Sequence, residues 1–189
     1  EMQDQLALAS QQRAAAAIAA GYFKEQIVPV EIATRKGTVL FQEDEHVRAA
    51  TTLEVLAGMK PAFKKEGGTV TAGNASGIND GASAVLLVAG DRIGALNVKP
   101  LARLVGYAHA GVDPAYMGIG PVPATQKVLA RTGLKVSDMD VIEANEAFAA
   151  QACAVVQELG LDPARVNPNG SGISLGHPVG ATGAIITTK

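Results

Sequence analysis

Two short stretches of the sequence contain side chains that could carry out chemistry. The first is Asn-Glu-Ala-Phe at residues 145–148, between the apolar stretch 141–144 and a helical pattern. A residue that caps a helix lies close to unpaired backbone N–H groups and to the positive end of the helix dipole. There Asn145 could hold a water molecule or stabilise a developing oxyanion. The alternative is that Asn145 only caps the helix.

The second stretch, residues 169–183, is the most glycine-dense part of the chain. Its five glycines allow a ligand to approach the backbone closely. His177 lies between Gly176 and Pro178, in a bend where neither neighbour crowds its ring. Because imidazole titrates near neutral pH, His177 could serve as a base, an acid or a hydrogen-bond donor. The alternative is a loop histidine with no chemical role.

The other histidines and the single cysteine have less favourable surroundings. His46 follows three acidic residues and is interpreted as a solvated loop residue, and His109 has no neighbour in sequence that could act as its partner. Cys153 lies inside a predicted helix over 146–159, with no base or cation within one turn. We therefore interpret it as a small buried residue and not as a nucleophile. These side chains lie too far apart for a metal-ligand motif, so no metal site is predicted.

Nucleotide-binding motifs and paired acids are poorly supported. The sequence has no Gly-x-x-x-x-Gly-Lys-Ser/Thr phosphate loop. The glycines at 170, 172 and 176 miss the dinucleotide-binding spacing by one residue, which disfavours a dehydrogenase without excluding it. Paired carboxylates suited to glycoside hydrolysis are not evident either.

The composition excludes several classes of protein. Of the 189 residues 48% are apolar but only 4% aromatic, and 16 basic residues are nearly balanced by 18 acidic ones. The chain is therefore neither disordered nor built to bind nucleic acid or a membrane surface. One cysteine excludes a disulfide framework, and no apolar run is long enough for a membrane span, so we expect a cytoplasmic protein. Because the sequence begins at Glu1 and not at methionine, we expect a cut N-terminus.

Short helices alternate with short strands along the chain. The patterns predict helices over 3–20, 53–59, 91–96, 121–132 and 146–159, three of them ended by a glycine at 21, 133 or 160. The first helix is predicted to be amphipathic, with Leu6, Ala9, Arg13, Ala16 and Ala17 near one face. Strands are predicted over 23–32, from 69 into a bend at 73–81, and over 82–88, 101–107 and 141–144. Residues 34–68 are predicted to cross the surface as a long, charged and functional excursion. This order of elements predicts a layered α/β fold.

Several motifs together resemble the thiolase family. They are Asn-Glu-Ala-Phe at 145–148, Gly-His-Pro at 176–178, Asn-Ala-Ser-Gly-Ile-Asn-Asp-Gly-Ala at 74–82 and Met-Gly-Ile-Gly-Pro at 117–121. The opening Gln-Asp-Gln-Leu-Ala-Leu-Ala-Ser at 3–10 is similar to bacterial biosynthetic members, the acetyl-CoA acetyltransferases. The resemblance covers essentially the whole chain. It implies a layered α-β-α-β-α fold, of which this chain is the second half plus part of a loop domain inserted in the first.

The resemblance also implies a domain division. Residues 1–77 would be a portion of the loop domain that contacts coenzyme A. Residues 78–97 would end the N-terminal half, and residues 98–189 would be a truncated C-terminal half. Cut from its first half, such a chain would expose strand edges, and we therefore expect it to be poorly soluble on its own.

By resemblance, two residues are catalytic. His177 would activate a cysteine and help to bind the thioester oxygen, and Asn145 would hold a water that completes an oxyanion hole with His177. The family's nucleophilic cysteine belongs upstream of Glu1 and its second cysteine beyond Lys189. We therefore expect an interior piece that lacks both thiols and is inactive alone.

The implied substrates are coenzyme A thioesters, namely acetyl-CoA and acetoacetyl-CoA, with no cofactor and no metal. Residues implied to contact them are Arg48 near the nucleotide, Phe63, Ala72 and Ser76 along the adenine and pantetheine path, and Met117, Ala147 and Phe148 at the acyl end. The parent protein would be a homodimer or homotetramer. Two functions stay open: an acyltransferase that catalyses reversible Claisen condensation, or a catalytically incomplete fragment that only binds coenzyme A.

Overall fold

The first helix, α1 (Met2–Ala20), lies at the centre of the fold. The structure, a computed structural model, describes all residues 1–189. α1 packs against three helices: α2 (Leu53–Ala57), α5 (Ala149–Leu159) and α6 (Gly172–Leu175). Its buried face consists of small and polar residues, namely Ala7, Ser10, Gln11, Ala14 and Ala17. The helix is confirmed, but of the predicted face only Ala17 is buried, while Leu6, Ala9 and Arg13 are half-buried and Ala16 is exposed.

The physical reason lies in what surrounds α1. Arg13 points to the loop at 163–167, where its guanidinium donates hydrogen bonds to three backbone carbonyls. A small side chain such as Ala7 instead lets α1 approach its neighbours closely. Ala7 packs with Leu56, Ala149 and Ile173 in the main apolar cluster. Close packing of small residues therefore stabilises this core, as the low aromatic content suggests.

Three helices end as predicted. Gly21, Gly133 and Gly160 follow α1, α4 (Pro121–Thr132) and α5, and each adopts the left-handed conformation that glycine tolerates best. The segment 91–96 begins as a 3₁₀ turn, Gly90–Arg92, and continues as α3 (Ile93–Leu96). The chain ends in α7 (Thr182–Thr188). None of the helices combines the length and apolar character needed to cross a bilayer.

The only sheet is an antiparallel hairpin of β1 (Val30–Thr34) and β2 (Gly37–Phe41). The strand predicted over 23–32 is wrong in its bounds, because residues 21–26 form turns and pairing starts only after Pro29. Residues 34–68 were predicted as an irregular excursion with one short helix, but they also contain the strand β2. Both strands are exposed along their whole length.

Three predicted strands lack the partners that a strand requires. Residues 82–88 and 101–107 make no hydrogen bonds from backbone to backbone within the chain, and Leu86 and Leu101 are 82% and 99% exposed. Residues 141–144 form only one parallel bridge, between Ile142 and Val166. An extended segment becomes a strand only when a neighbour satisfies its N–H and C=O groups. These segments therefore remain irregular in this chain.

Candidate active site

The bend at residues 74–79 brings the two candidate stretches together. On one side, the backbone N–H and the hydroxyl of Ser76 both donate to the carbonyl of Ala147, at 3.0 and 2.9 Å. On the other side, the backbone N–H of His177 donates to the carbonyl of Gly77 at 3.1 Å. The stretches 145–148 and 176–178 therefore flank one short segment of backbone. This juxtaposition is the basis of the site.

Asn145 does not cap a helix, which corrects the prediction from the sequence. Helix α5 begins at Ala149, and its N-cap is Phe148, in an extended conformation. The reason is that Phe148 forms an antiparallel bridge with Ala75, which keeps residues before α5 extended along the bend. The half-buried Asn145 is therefore placed by this extended stretch and not by a helix end.

A glycine makes room for the Asn145 amide. A Cβ atom built on Gly172 would lie 2.7 Å from Asn145 Oδ1 and 2.9 Å from the carbonyl oxygen of Glu146. These distances are too short for a side chain at position 172 without movement of the asparagine. The first residue of α6 thus borders the Asn145 side chain directly.

Glu146 is a functional candidate that sequence reasoning missed. Its carboxylate is buried and accepts hydrogen bonds from Ser10 Oγ at 2.6 Å, Asn167 Nδ2 at 3.1 Å and the Ile173 N–H at 3.4 Å. Burial raises the pKa of the Glu146 carboxyl, an effect that these hydrogen bonds and the charge of Lys189 oppose. The signal available in the sequence was an acid between Asn145 and the apolar Ala147 and Phe148, directly after the predicted buried strand 141–144.

Asn167 aligns the segment that leads into the site. Its Oδ1 accepts from the Ala144 N–H at 2.8 Å, and its Nδ2 donates to the Ala144 carbonyl at 2.7 Å. The side chain thereby acts as a substitute for a neighbouring strand. It fixes the backbone one residue before Asn145.

A buried ion pair ties Lys189, which follows α7, to the segment that precedes Asn145. Lys189 Nζ lies 2.8 Å from Glu143 Oε2 and also donates to the carbonyl of Gly170. The lysine side chain is only 4% exposed. The end of α7 is thereby held to the segment that precedes Asn145.

His177 is held by both its backbone and its ring. Besides Gly77, the Asn79 Oδ1 atom accepts from its N–H at 3.2 Å. The ring Nδ1 lies 2.7 Å from the hydroxyl of Thr182. The other ring nitrogen, Nε2, has no hydrogen-bond partner in this chain. His177 is therefore oriented at one nitrogen and free at the other.

His46 was wrongly interpreted as a solvated residue. Its ring is half-buried and lies against Gly77, where its Cε1 is 2.6 Å from the position a Cβ would take. It thus packs on the bend that holds the two stretches. His109, by contrast, is exposed, and its backbone carbonyl accepts a hydrogen bond from Lys127.

Four of the residues expected to contact a thioester lie close to one another. The rings of Phe63 and Phe148 meet edge to face with centroids 6.0 Å apart, and Ser76 bonds to Ala147 as described above. Phe63 is 75% exposed, so its outer face is open to solvent.

The other three expected contact residues are not joined to this group. Arg48 is fixed through its backbone N–H, which donates to Gln11 Oε1 at 2.7 Å, while its side chain is exposed. Ala72 is exposed on the bend that follows Thr71. Met117 lies in a 3₁₀ segment, Pro114–Ile119, that packs against α5, and it is 74% exposed.

Cys153 lies in the middle of α5 and is half-buried. Burial, and next the negative charge of Glu146, raise the pKa of its thiol. Both effects disfavour the thiolate, which is the nucleophilic form. The chain contains no cluster of three or more histidine, cysteine or acidic side chains placed to hold a metal ion.

Family comparisons cover nearly the whole chain. Residues 1–91 match the thiolase N-terminal domain, and residues 98–189 match the thiolase C-terminal domain. The β-ketothiolase BktB of Cupriavidus necator is 66% identical over 187 residues, which are 99% of this chain and 48% of that protein. An acetyl-CoA acetyltransferase of Escherichia coli is 57% identical over 98% of this chain and 47% of its own length. The chain thus spans about half the length of these curated relatives.

Solved structures have the same fold. The acetyl-CoA acetyltransferase of Bacillus anthracis superposes with a TM-score of 0.96 at 53% identity, over 99% of this chain and 47% of that one. Human mitochondrial 3-ketoacyl-CoA thiolase in complex with CoA gives a TM-score of 0.88 at 48% identity, over 98% and 46% of the two chains. These similarities confirm the predicted layered α/β fold.

Proposed function

The chain belongs to the thiolase family, and we propose that the protein is an acetyl-CoA C-acetyltransferase. It would condense two molecules of acetyl-CoA to acetoacetyl-CoA and free coenzyme A. In the reverse direction it would cleave short 3-ketoacyl-CoA thioesters with coenzyme A. The observation that carries this proposal is the bend at 74–79, which bonds to both the Asn145 stretch and the His177 stretch.

In the first half-reaction a thiol of the protein attacks the carbonyl carbon of acetyl-CoA. His177 accepts the proton of that thiol at Nε2, the ring nitrogen with no partner in this chain. The carbonyl oxygen becomes an oxyanion, which hydrogen-bond donors near His177 and Asn145 stabilise. Collapse of the intermediate expels coenzyme A, which takes up a proton, and leaves an acetyl group on the protein's sulfur.

In the second half-reaction the thiolate of a second cysteine of the protein takes a proton from the methyl carbon of another acetyl-CoA. The resulting carbanion attacks the acetyl group, a carbon–carbon bond forms, and the protein's thiolate leaves. The asparagine would act through a bound water that donates to the thioester oxygen. No redox step occurs, so no cofactor is required.

The two thiols would lie outside residues 1–189. Cys153, the single cysteine of residues 1–189, lies in the middle of α5, and burial raises the pKa of its thiol, which disfavours the nucleophilic thiolate. The alternative function, a fragment that binds coenzyme A without turnover, rests on the same observation.

The proposed thioester path passes the aromatic pair. Phe63 and Phe148 would contact the pantetheine and acyl end, with Ser76 and Ala147 beside them. Arg48 would neutralise part of the nucleotide's negative charge from the surface. Ala72 and Met117 would complete the two ends of the path. The proposal extends to short acyl chains and to a role in fatty acid metabolism or polyhydroxyalkanoate synthesis. The protein would act in the cytoplasm as a homodimer or homotetramer.

The test uses the full-length gene product, by which we mean the natural polypeptide that includes these residues. We expect it to consume acetoacetyl-CoA when coenzyme A is added, and His177→Ala and Asn145→Ala to lower kcat by about 10²-fold or more. His109→Ala, at an exposed position, is the matched control. If the full-length protein binds coenzyme A but produces no acetyl-CoA, the enzyme proposal is wrong and the binding function stands.

A further inference from the structure

We propose that Thr182 is a positioning residue that fixes the ring tautomer of His177, with the proton on Nδ1 and the lone pair on Nε2. The inference rests on the proposed function, in which Nε2 is the base. Thr182 is the first residue of α7 and is 7% exposed. Its hydroxyl lies 2.7 Å from Nδ1 of His177.

The tautomer follows from counting protons around the hydroxyl. Thr182 Oγ1 also lies 3.0 Å from the carbonyl oxygen of Pro178. A carbonyl oxygen cannot donate, so the only proton that can stand between these two oxygens is the one on Thr182. Once that proton is directed at Pro178, the hydroxyl can only accept from Nδ1. The ring must then be protonated on Nδ1.

The opposite arrangement is less favourable. If the hydroxyl donated to Nδ1, the ring proton would be on Nε2, and two oxygen lone pairs would face each other at 3.0 Å. The geometry cannot relax easily, because the backbone N–H of Thr182 also donates to Pro178, at 2.9 Å. The hydroxyl and the backbone of one residue are thus bound to the same carbonyl.

The consequence for the reaction concerns Nε2. A base must offer a lone pair, and in a neutral imidazole only the unprotonated nitrogen has one. Nε2 has no partner within this chain and would face the thiol. Thr182 would therefore act through His177 and would not touch the substrate.

Two variants of Thr182 distinguish the effect of its hydroxyl from the effect of its side-chain shape. Thr182→Val keeps the branched shape and removes the hydroxyl, while Thr182→Ser keeps the hydroxyl. Thr187→Val is the matched control, because Thr187 makes the same bond to the carbonyl four residues earlier, at 2.7 Å, but on the exposed side of α7. All are made in the full-length gene product.

Two readouts are used, acetoacetyl-CoA cleavage and solid-state ¹⁵N NMR of histidine-labelled protein above pH 8. The His177 signals are those that His177→Asn removes. We expect Thr182→Val to lower kcat about 10- to 100-fold with little change in KM, and to move the ring proton partly to Nε2. Thr182→Ser should restore both, and Thr187→Val should change neither.

The outcomes distinguish this inference from the proposed function. If the wild-type ring carries its proton on Nε2, or if Thr182→Val leaves the ring signals and kcat unchanged, the inference is overturned. If the wild-type protein has no thiolase activity but the tautomer depends on Thr182, the tautomer assignment stands and the proposed function fails. A loss of activity in Thr182→Val without a tautomer change would also overturn the inference.

Discussion

The carboxylate of Glu146 accepts a 2.6 Å hydrogen bond from the hydroxyl of Ser10, 136 residues earlier in the chain. Through this bond α1 is attached to the residue next to Asn145. The hydroxyl of Ser174 lies 2.8 Å from that of Ser10, so α6 joins the same network. The position of the candidate site is therefore set by contacts between distant segments.

The first prediction concerns the stability contributed by this network. Ser10→Ala should lower the free energy of unfolding by about 1–3 kcal/mol, because it leaves a buried carboxylate oxygen short of a donor. Ser83→Ala, which removes an exposed hydroxyl bonded only to Thr188, should change it by less than about 0.5 kcal/mol. Urea unfolding of the full-length gene product measures both. Equal effects of the two substitutions would show that the buried bond contributes nothing.

The second prediction concerns pH. The pKa of Glu146 is raised above its ordinary value of 4.5 in the folded protein. Between pH 4.5 and the folded-state pKa, the folded protein therefore holds more protons than the unfolded chain. Stability from this group therefore falls as the pH rises through that window and is regained on acidification. Glu146→Gln should abolish this slope, so that the variant becomes more stable relative to the wild type as the pH rises above 4.5.

Glu54 gives a control of opposite sign for that experiment. Its pKa is lowered by hydrogen bonds from its own backbone N–H and from the Thr52 hydroxyl, so its contribution is lost as the pH falls. Because Glu54 is fully exposed, the effect of Glu54→Gln should be small. Thermal unfolding at a series of pH values provides the test, and a Glu146→Gln variant with the wild-type pH slope would contradict the assignment.

Local signals in the sequence predicted helices α1 to α5 but neither of the short helices α6 and α7. α1 and α4 have the predicted ends, because their periodic pattern and terminal glycines act within a few residues. The motif at 74–82 was also grouped correctly with those at 145–148 and 176–178. They are joined by two backbone hydrogen bonds, from the Ser76 N–H to the Ala147 carbonyl and from the His177 N–H to the Gly77 carbonyl, and such bonds depend little on side-chain pattern.

Features that depend on distant partners could not be predicted. The apolar segment 82–88 has the pattern of a strand, but no segment of this chain pairs with it. The extended backbone at Phe148, which delays the start of α5, results from its bridge to Ala75. Glu146 was missed for the same reason, since its partners Ser10 and Asn167 lie far away in sequence. Local propensity has no information on such contacts.

The third prediction concerns the room beside Asn145. Gly172→Ala should displace the asparagine amide, because the new Cβ would lie 2.7 Å from Oδ1, and kcat for acetoacetyl-CoA cleavage should fall at least tenfold. Gly183→Ala is the control, since a Cβ there meets no atom within 4 Å and lies in α7. It should leave kcat unchanged and raise stability by up to about 1 kcal/mol. Similar kcat values for the two variants would remove the support for Asn145 as a catalytic group.

The fourth prediction concerns Cys153. Its raised thiol pKa and its place in α5 should make alkylation by iodoacetamide at pH 7.5 at least about tenfold slower than in the urea-unfolded protein. Peptide mass spectrometry resolves this residue from any other cysteine of the full-length gene product. Cys153→Ala should retain nearly full thiolase activity. Loss of turnover in this variant, with unfolding unchanged, would make Cys153 a candidate nucleophile after all.

The fifth prediction concerns residues 1–189 expressed alone. The extended segments 82–88 and 101–107 expose apolar side chains and unpaired backbone groups, so the isolated chain should self-associate at micromolar concentration. Leu86→Lys combined with Leu101→Lys should reduce this association, because charges in edge segments oppose pairing. Val28→Lys, at an equally exposed apolar residue elsewhere, should not. Static light scattering measures the mass of each variant, and a clean, stable monomer of the unchanged chain would refute the prediction.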